Sequence, residues 1–177
     1  MRMNKKSIII FCMAALMCSC AAEFNNVYKS PDNDYKYEFA KQCFAEGKFQ
    51  QAISLLQDVV TFRKGTDTAE ESLYLLALSQ YCNHDFEAAS ATFKKYYATY
   101  PKGVFAEQAA FNVGQSLYES TPEPRLDQTP TVGAINAYQQ FLDVFPDSKL
   151  RGEAQQRLFD LQDNLVKKEY LSAELYY

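Results

Sequence analysis

The chain has no tryptophan, a single histidine, and only six glycines and six prolines among its 177 residues. With His84 as the only histidine, a zinc site or a histidine-based acid–base pair would lack the residues that such chemistry needs. The glycines are isolated, so the sequence has no glycine-rich phosphate loop. So few turn residues favour packed helices over turn-rich β-structure. We therefore expect neither an enzyme nor a bound cofactor or metal.

Basic residues are also in the minority, with 18 Lys and Arg against 22 Asp and Glu. Three of the basic residues (Arg2, Lys5 and Lys6) lie in a predicted leader, and its removal makes the remaining chain more acidic. No basic stripe is present, which argues against nucleic acid as a partner, because phosphate binding needs clustered Lys and Arg. Apolar residues, by contrast, reach 47% with 13 Tyr and 13 Phe, enough for a packed core.

The N-terminal segment predicts a signal peptide over residues 1–19. The apolar run over residues 8–17 is too short to span a bilayer. Ser19-Cys20-Ala21 resembles the lipobox of bacterial lipoproteins, in which the chain is cut before the cysteine and that residue is acylated, as with palmitate. Cys20 fits this pattern better than Cys18, which follows the bulky Met17; an ordinary signal peptide with incidental cysteines is the alternative. Residues 20–33 show no period and are predicted to be a lipid-anchored tether.

Two further cysteines, Cys43 and Cys82, lie in predicted helices beside apolar neighbours. A signal peptide implies export from the cytoplasm, into a compartment that permits disulfides. We nevertheless expect both residues to be buried free thiols, since each sits where a small apolar residue would serve.

An internal repeat organises the rest of the chain. Four pairs of similar residues are separated by 37 positions: Ala40 and Ala77, Phe44 and Tyr81, Phe49 and Phe86, Ala52 and Ala89. The next step from Ala77 reaches Gly114. Later pairs are 45 positions apart, as Pro101 and Pro146 are, which indicates an insertion between Glu119 and Val132.

These features resemble the tetratricopeptide repeat, in which small residues let paired helices approach closely and proline ends the second helix. The predicted fold is an all-α tetratricopeptide-repeat superhelix over residues 34–177, with repeats at about 35–67, 68–103 and 104–149 and an incomplete one at 150–177. Thr68 and Glu71 could form a capping box. Predicted helices cover residues 35–46, 50–63, 68–82, 86–100, 104–119 and 132–145, with a longer helix from about Leu150. The resemblance implies a binding groove lined by the first helix of each pair.

Three segments resemble a narrower family, the outer-membrane protein assembly factor BamD: residues 70–77, residues 123–129 with the Asp-Gln-Thr insertion, and residues 167–177. The resemblance implies a lipoprotein of the β-barrel assembly machinery at the periplasmic side of the outer membrane. Its partners would be unfolded outer-membrane proteins and the barrel assembly protein BamA. Since the pattern from Ala173 stops before a second helix, we expect a fragment or a shortened member, with part of the BamA contact region missing.

Partner-binding candidates come from the insertion and from the aromatics. Arg125, Asp127 and Gln128 lie in the insertion, where they could recognise a partner or hold the loop. Tyr97 and Tyr118 are candidates for a groove, although most aromatics are expected in the core. The alternative function is another envelope repeat lipoprotein that scaffolds cell-wall or division proteins; it would share the anchor and the repeats but lack the insertion.

Overall fold

The computed structural model describes residues 23–62 and 68–174, and these residues contain helices and no strand. The seven main helices are α1 (Asn33–Ala45), α2 (Phe49–Phe62), α3 (Ala69–Cys82), α4 (Phe86–Thr99), α5 (Ala106–Glu119), α6 (Thr129–Val144) and α7 (Arg151–Glu174). They fall within a few residues of the predicted helices, and α7 begins next to Leu150. The predicted all-α class is confirmed.

The helices pair as hairpins α1–α2, α3–α4 and α5–α6, followed by α7, and each packs chiefly against its neighbours in sequence. Buried residues accordingly form three successive clusters rather than one central core. Such nearest-neighbour stacking is how a solenoid of helix hairpins is held together. The repeat architecture predicted from the 37-residue spacing is confirmed.

Small residues occupy the closest helix contacts, as the repeat predicts. Ala40 and Ala77 on the first helices are fully buried. At the equivalent Gly114, an added Cβ would lie 2.9 Å from the ring of Tyr138. The space that an alanine side chain would fill is thus taken by a tyrosine from the facing helix.

The turns inside the first two hairpins have the same backbone conformation. Gly47 and His84, 37 positions apart, have φ angles of 73° and 61°. Left-handed backbone suits glycine and is tolerated by few other residues. His84 is therefore a turn residue, in agreement with its predicted position.

The third hairpin differs from the prediction at the start of α6, which begins at Thr129 rather than at residue 132. Pro130 lies in the first turn of this helix, where a missing N–H costs nothing because that group has no partner within the helix. Because the prediction places this proline in the loop, the predicted loop before α6 is too long.

Two further expectations need correction. Thr68 makes no capping bond through its side chain, so the predicted capping box does not form. Within the predicted tether, residues 23–28 are helical and Val27 is completely buried against the first hairpin. This part of the segment belongs to the packed body rather than to a tether. Cys20 and the signal peptide lie outside the described residues.

Candidate protein-binding surfaces

Side-chain contacts join α3, the first helix of the second hairpin, to α5, and α5 to α7. The Asn112 amide donates to the Tyr74 hydroxyl and the Gln115 amide to the Tyr81 hydroxyl, each at 3.5 Å. The Tyr118 hydroxyl lies 3.5 Å from Asp160 Oδ2 on α7. We call the surface along α3, α5 and α7 that carries these groups the first-helix face.

Tyr118 lies where this face meets α7. The Arg157 guanidinium stands 4.6 Å from the centre of its ring, a cation–π contact. A cavity of about 400 Å³ opens beside it, lined mainly by polar side chains from α7 such as Asp160, Asn164 and Lys167. Tyr118 is half-buried and remains accessible from this cavity.

Gln115 links the two helices of the third hairpin to this face. Its Oε1 accepts a hydrogen bond from the buried Tyr138 hydroxyl at 2.9 Å, while its amide nitrogen reaches Tyr81. Burial raises the pKa of both Tyr138 and Tyr81, so both hydroxyls stay protonated and can donate. The polar groups of the first-helix face are therefore held by partners from three helices.

The insertion is held by two of the residues predicted there. The Gln128 amide donates to the backbone carbonyls of Glu123 and Leu126 at 2.8 and 3.2 Å, and its oxygen accepts from Thr131 at 2.6 Å. Asp127 accepts from the backbone and hydroxyl of Thr129 at 3.2 and 3.0 Å. Of the two roles left open for this loop, Asp127 and Gln128 serve to hold it.

The residues of the insertion also differ in how exposed their side chains are. Gln128 is only 5% exposed, so its amide faces the loop and not the solvent. Asp127 and Arg125 are exposed. Leu126 between them is 58% exposed, an apolar side chain at the tip of an ordered loop. The insertion thus presents Arg125, Leu126 and Asp127 on a fixed backbone.

A second, larger cavity of about 580 Å³ lies between the second helices α4 and α6, with α5 as its floor. We call it the second-helix groove. Its lining is mostly apolar and comprises Ser90, Lys94, Tyr97, Ala98, Ala110, Val113, Leu117, Asn136, Ala137, Gln140, Phe141, Val144 and Phe145. Tyr97 is half-buried there and makes an edge contact with Phe145 at 6.2 Å between ring centres.

Tyr97 and Tyr118 therefore lie on different surfaces. Only Tyr118 is in the row of first helices, where the groove was expected. The more apolar cavity, with Tyr97, is formed between second helices instead. Its position depends on where small side chains leave space, and the repeat pattern does not report that.

A contact at the start of α3 has no counterpart among the residues that the sequence singled out. Glu70 is half-buried and accepts hydrogen bonds from the Tyr96 hydroxyl and, at 2.7 Å, from Val104 N. Burial, followed by the contact with Glu70, raises the pKa of Tyr96. The signal available in the sequence was Glu107, which repeats Glu70 after 37 residues.

The remaining chemistry of the described residues is sparse. Cys43 and Cys82 are free thiols; Cys43 is buried as expected, but Cys82 is only half-buried. Across residues 23–62 and 68–174 no cluster of His, Cys, Asp and Glu has the arrangement of a metal site. Among the same residues, no helix has the length and apolar character needed to cross a bilayer.

Comparison with models of protein families gives a match over most of the chain. The model of the family YfiO, described as an outer membrane lipoprotein, matches residues 30–177. The matched range contains all seven helices and the insertion. No curated protein matches the chain.

Proposed function

Because the chain belongs to the outer membrane lipoprotein family YfiO, we propose that it is a lipid-anchored subunit of the β-barrel assembly machinery at the periplasmic side of the outer membrane. Its task is to bind unfolded barrel proteins and to scaffold partner subunits, among them BamA. The observation that carries the proposal is the family match over residues 30–177, which spans the whole repeat body. Binding and positioning account for this task without a covalent step.

The first-helix face is the proposed site for unfolded barrel proteins. An unfolded chain carries unpaired backbone N–H and C=O groups. The amides of Asn112, Gln115 and Asn164 and the hydroxyls of Tyr81 and Tyr118 can both donate and accept hydrogen bonds. Such groups along stacked helices can bind backbone with little regard to sequence, which a receptor for many barrel proteins requires.

The insertion is the proposed site for a partner subunit. Gln128 and Asp127 already hold the loop. A partner that binds Arg125 and Leu126 therefore costs the loop little conformational entropy. An exposed apolar residue beside a guanidinium suits a surface that combines a small apolar contact with a carboxylate.

Two measurements test the assignment. Chemical crosslinking in intact cells, followed by affinity capture of this chain, should recover BamA; recovery of cell-wall or division proteins in its place would contradict the proposal. Replacement of Tyr118 and Gln115 by alanine should weaken binding of a urea-unfolded barrel protein at least tenfold. Tyr35→Ala is the matched control, because Tyr35 is 48% exposed on α1 and lies outside the first-helix face.

Lipid anchoring at Cys20 is tested separately. Cys20→Ala should move the protein from the membrane fraction to the soluble fraction, since acyl chains hold it by about 0.8 kcal/mol per buried methylene. Cys18→Ala is the control and should leave the protein with the membranes. The membranes are washed at high pH before sedimentation, so that partner proteins do not retain the variant.

A further inference from the structure

The second-helix groove has a shape that accommodates one helix. Two helices form its walls, α4 through Tyr97 and Ala98 and α6 through Ala137 and Phe145, and α5 closes the bottom with Val113. We propose that this groove binds an amphipathic α-helix of another protein, with the apolar side on α5 and an acidic residue beside Lys94. This site goes beyond the proposed function, which places unfolded chains on the first-helix face and a partner subunit at the insertion.

The length of the groove matches the spacing of helical anchors. Its α4 wall runs from Ser90 to Ala98, nine residues whose eight helical steps rise by about 12 Å. Apolar residues at positions i, i+3 or i+4, and i+7 of a bound helix span about 10 Å, the pattern by which helices dock in apolar grooves. Two turns of a helix therefore fit along the walls.

The chemistry of the floor favours a helix over an extended segment. Ala110, Val113 and Leu117 supply the floor, and none of these side chains offers a hydrogen bond. An extended peptide pressed onto them would bury backbone N–H and C=O groups that find no partner on the floor, which opposes binding. A helix satisfies these groups within itself, and the described helices of this chain present no sheet edge that could serve instead.

The charge at the rim indicates which charged group the partner helix carries. Lys94 is the only charged residue among the described residues that line the groove, and its side chain is exposed at the rim. The chain as a whole carries a formal net charge of −4. A locally basic rim on an acidic protein selects an occupant with a carboxylate next to its apolar anchors.

The test places a photo-crosslinking amino acid at Gln140, which lines the rim, and irradiates intact cells that express the full chain. Asp143, exposed on the same helix but outside the lining, is the control position. We expect a product at position 140 and none at 143, and mass spectrometry should place the attachment in a segment with apolar residues at helical spacing and a nearby carboxylate.

Variants in the groove make the result specific. Ala98→Trp fills the groove at an exposed position and should reduce the product at least tenfold, whereas Ala173→Trp, at an exposed position on α7, should not. Lys94→Glu should reduce it severalfold, and Lys95→Glu should leave it unchanged. The thermal midpoint of each variant is measured alongside.

Several outcomes would overturn the inference: no product at position 140, a product that Ala98→Trp leaves intact, attachment to a lipid, or attachment to a proline-containing extended segment. None of these bears on the proposed function, because binding of unfolded barrel protein is measured with Tyr118 and Gln115 variants on the other face. Loss of that binding with an intact groove product would count against the proposed function alone.

Discussion

The second and third hairpins end in the same turn but stabilise it with different side chains. Tyr100 and Phe145, the residues that follow α4 and α6, have φ and ψ angles of −126° and 63° and of −123° and 62°. In both turns a backbone N–H three residues later bonds to that residue's carbonyl, at 3.0 and 3.1 Å. The backbone is thus repeated almost without change.

In the second hairpin the turn contains Gly103. A Cβ on Gly103 would lie 2.7 Å from the Tyr96 hydroxyl and would also overlap the Glu70 carboxylate. The missing side chain leaves room for these two groups, which bond to each other. The hydroxyl that bonds to the carboxylate in this turn therefore comes from Tyr96 on α4.

In the third hairpin the equivalent residues are Ser148 and Phe141, each 45 positions later. Phe141 has no hydroxyl, and Ser148 supplies one, which donates to Glu107 Oε1 at 2.5 Å. A carboxylate at the start of the first helix is thus satisfied by a hydroxyl in both hairpins, but the hydroxyl has moved from the aromatic ring to the turn. The repeat conserves the contact and not the residues that make it.

The largest expected effect on the free energy of unfolding comes from Glu70, which should contribute more than Glu107. Glu70→Ala removes the acceptor of a completely buried hydroxyl and of Val104 N, and should lower the free energy of unfolding by about 2–4 kcal/mol. Glu107→Ala should cost about 1 kcal/mol, because half-buried Ser148 can turn its hydroxyl to water. Urea unfolding of both variants measures this difference. Equal costs would mean that the two turns are energetically alike.

A double substitution should convert one arrangement into the other. Gly103→Ser alone overpacks the turn and should cost about 1–3 kcal/mol. With Tyr96→Phe also present, the serine gains the space of the lost hydroxyl and can donate to Glu70. The pair should then cost less than the sum of the single variants by at least about 1 kcal/mol, as a double-mutant cycle of unfolding free energies measures. Additive costs would refute the equivalence of the two turns.

The hairpins also differ at the small residue of the first helix, Ala77 in the second and Gly114 in the third. Gly114→Ala should cost about 1–2 kcal/mol, because its Cβ would lie 2.9 Å from the Tyr138 ring. Gly152→Ala is the control: no atom lies within 4 Å of a Cβ there, and higher helix propensity should make it neutral or stabilising by up to about 1 kcal/mol. Thermal midpoints distinguish the two signs.

The two buried tyrosines should affect the free energy of unfolding least at neutral pH and measurably only at alkaline pH. Burial raises the pKa of Tyr96 and Tyr138 above the value of about 10 in unfolded chains, so the folded state holds these protons longer. Their contribution is complete below about pH 10 and is lost as pH rises beyond it, by up to about 1.4 kcal/mol per pH unit for each group. Tyr96→Phe, which makes the second hairpin resemble the third, should show a shallower loss. Unfolding free energies between about pH 8 and about pH 11 measure it, and an identical slope would contradict the argument.

The backbone of this protein is largely predictable from its sequence, since small residues, post-turn aromatics and prolines recur at 37 and 45 positions. Gly47 and His84, for example, occupy one left-handed turn position although only one is glycine. The prediction was wrong where one residue type serves two structures: Pro130 occurs in a first helical turn as readily as in a loop, and Thr68 occupies the N-cap position without a side-chain capping bond.

The candidate surfaces were less predictable for a physical reason. A groove exists where side chains fail to fill the space between helices, as at Ala98, Ala110 and Ala137, and this depends on volumes that meet across three helices. Tyr97 was identified as a groove residue, but periodicity alone did not separate its surface from that of Tyr118. The side-chain partners of Gln128 depend on the fold of the loop, which no repeat pattern describes.

The exchange of a hydroxyl between Tyr96 and Ser148 also constrains how such repeats can diverge. An ancestor with tyrosine and glycine reaches phenylalanine and serine by two substitutions, and their order matters. If serine comes first, the chain passes through an overcrowded intermediate; if phenylalanine comes first, it passes through one that lacks only the two hydrogen bonds of the tyrosine hydroxyl, to Glu70 and from Phe105 N. Lineages within the family should therefore contain phenylalanine with glycine far more often than tyrosine with serine.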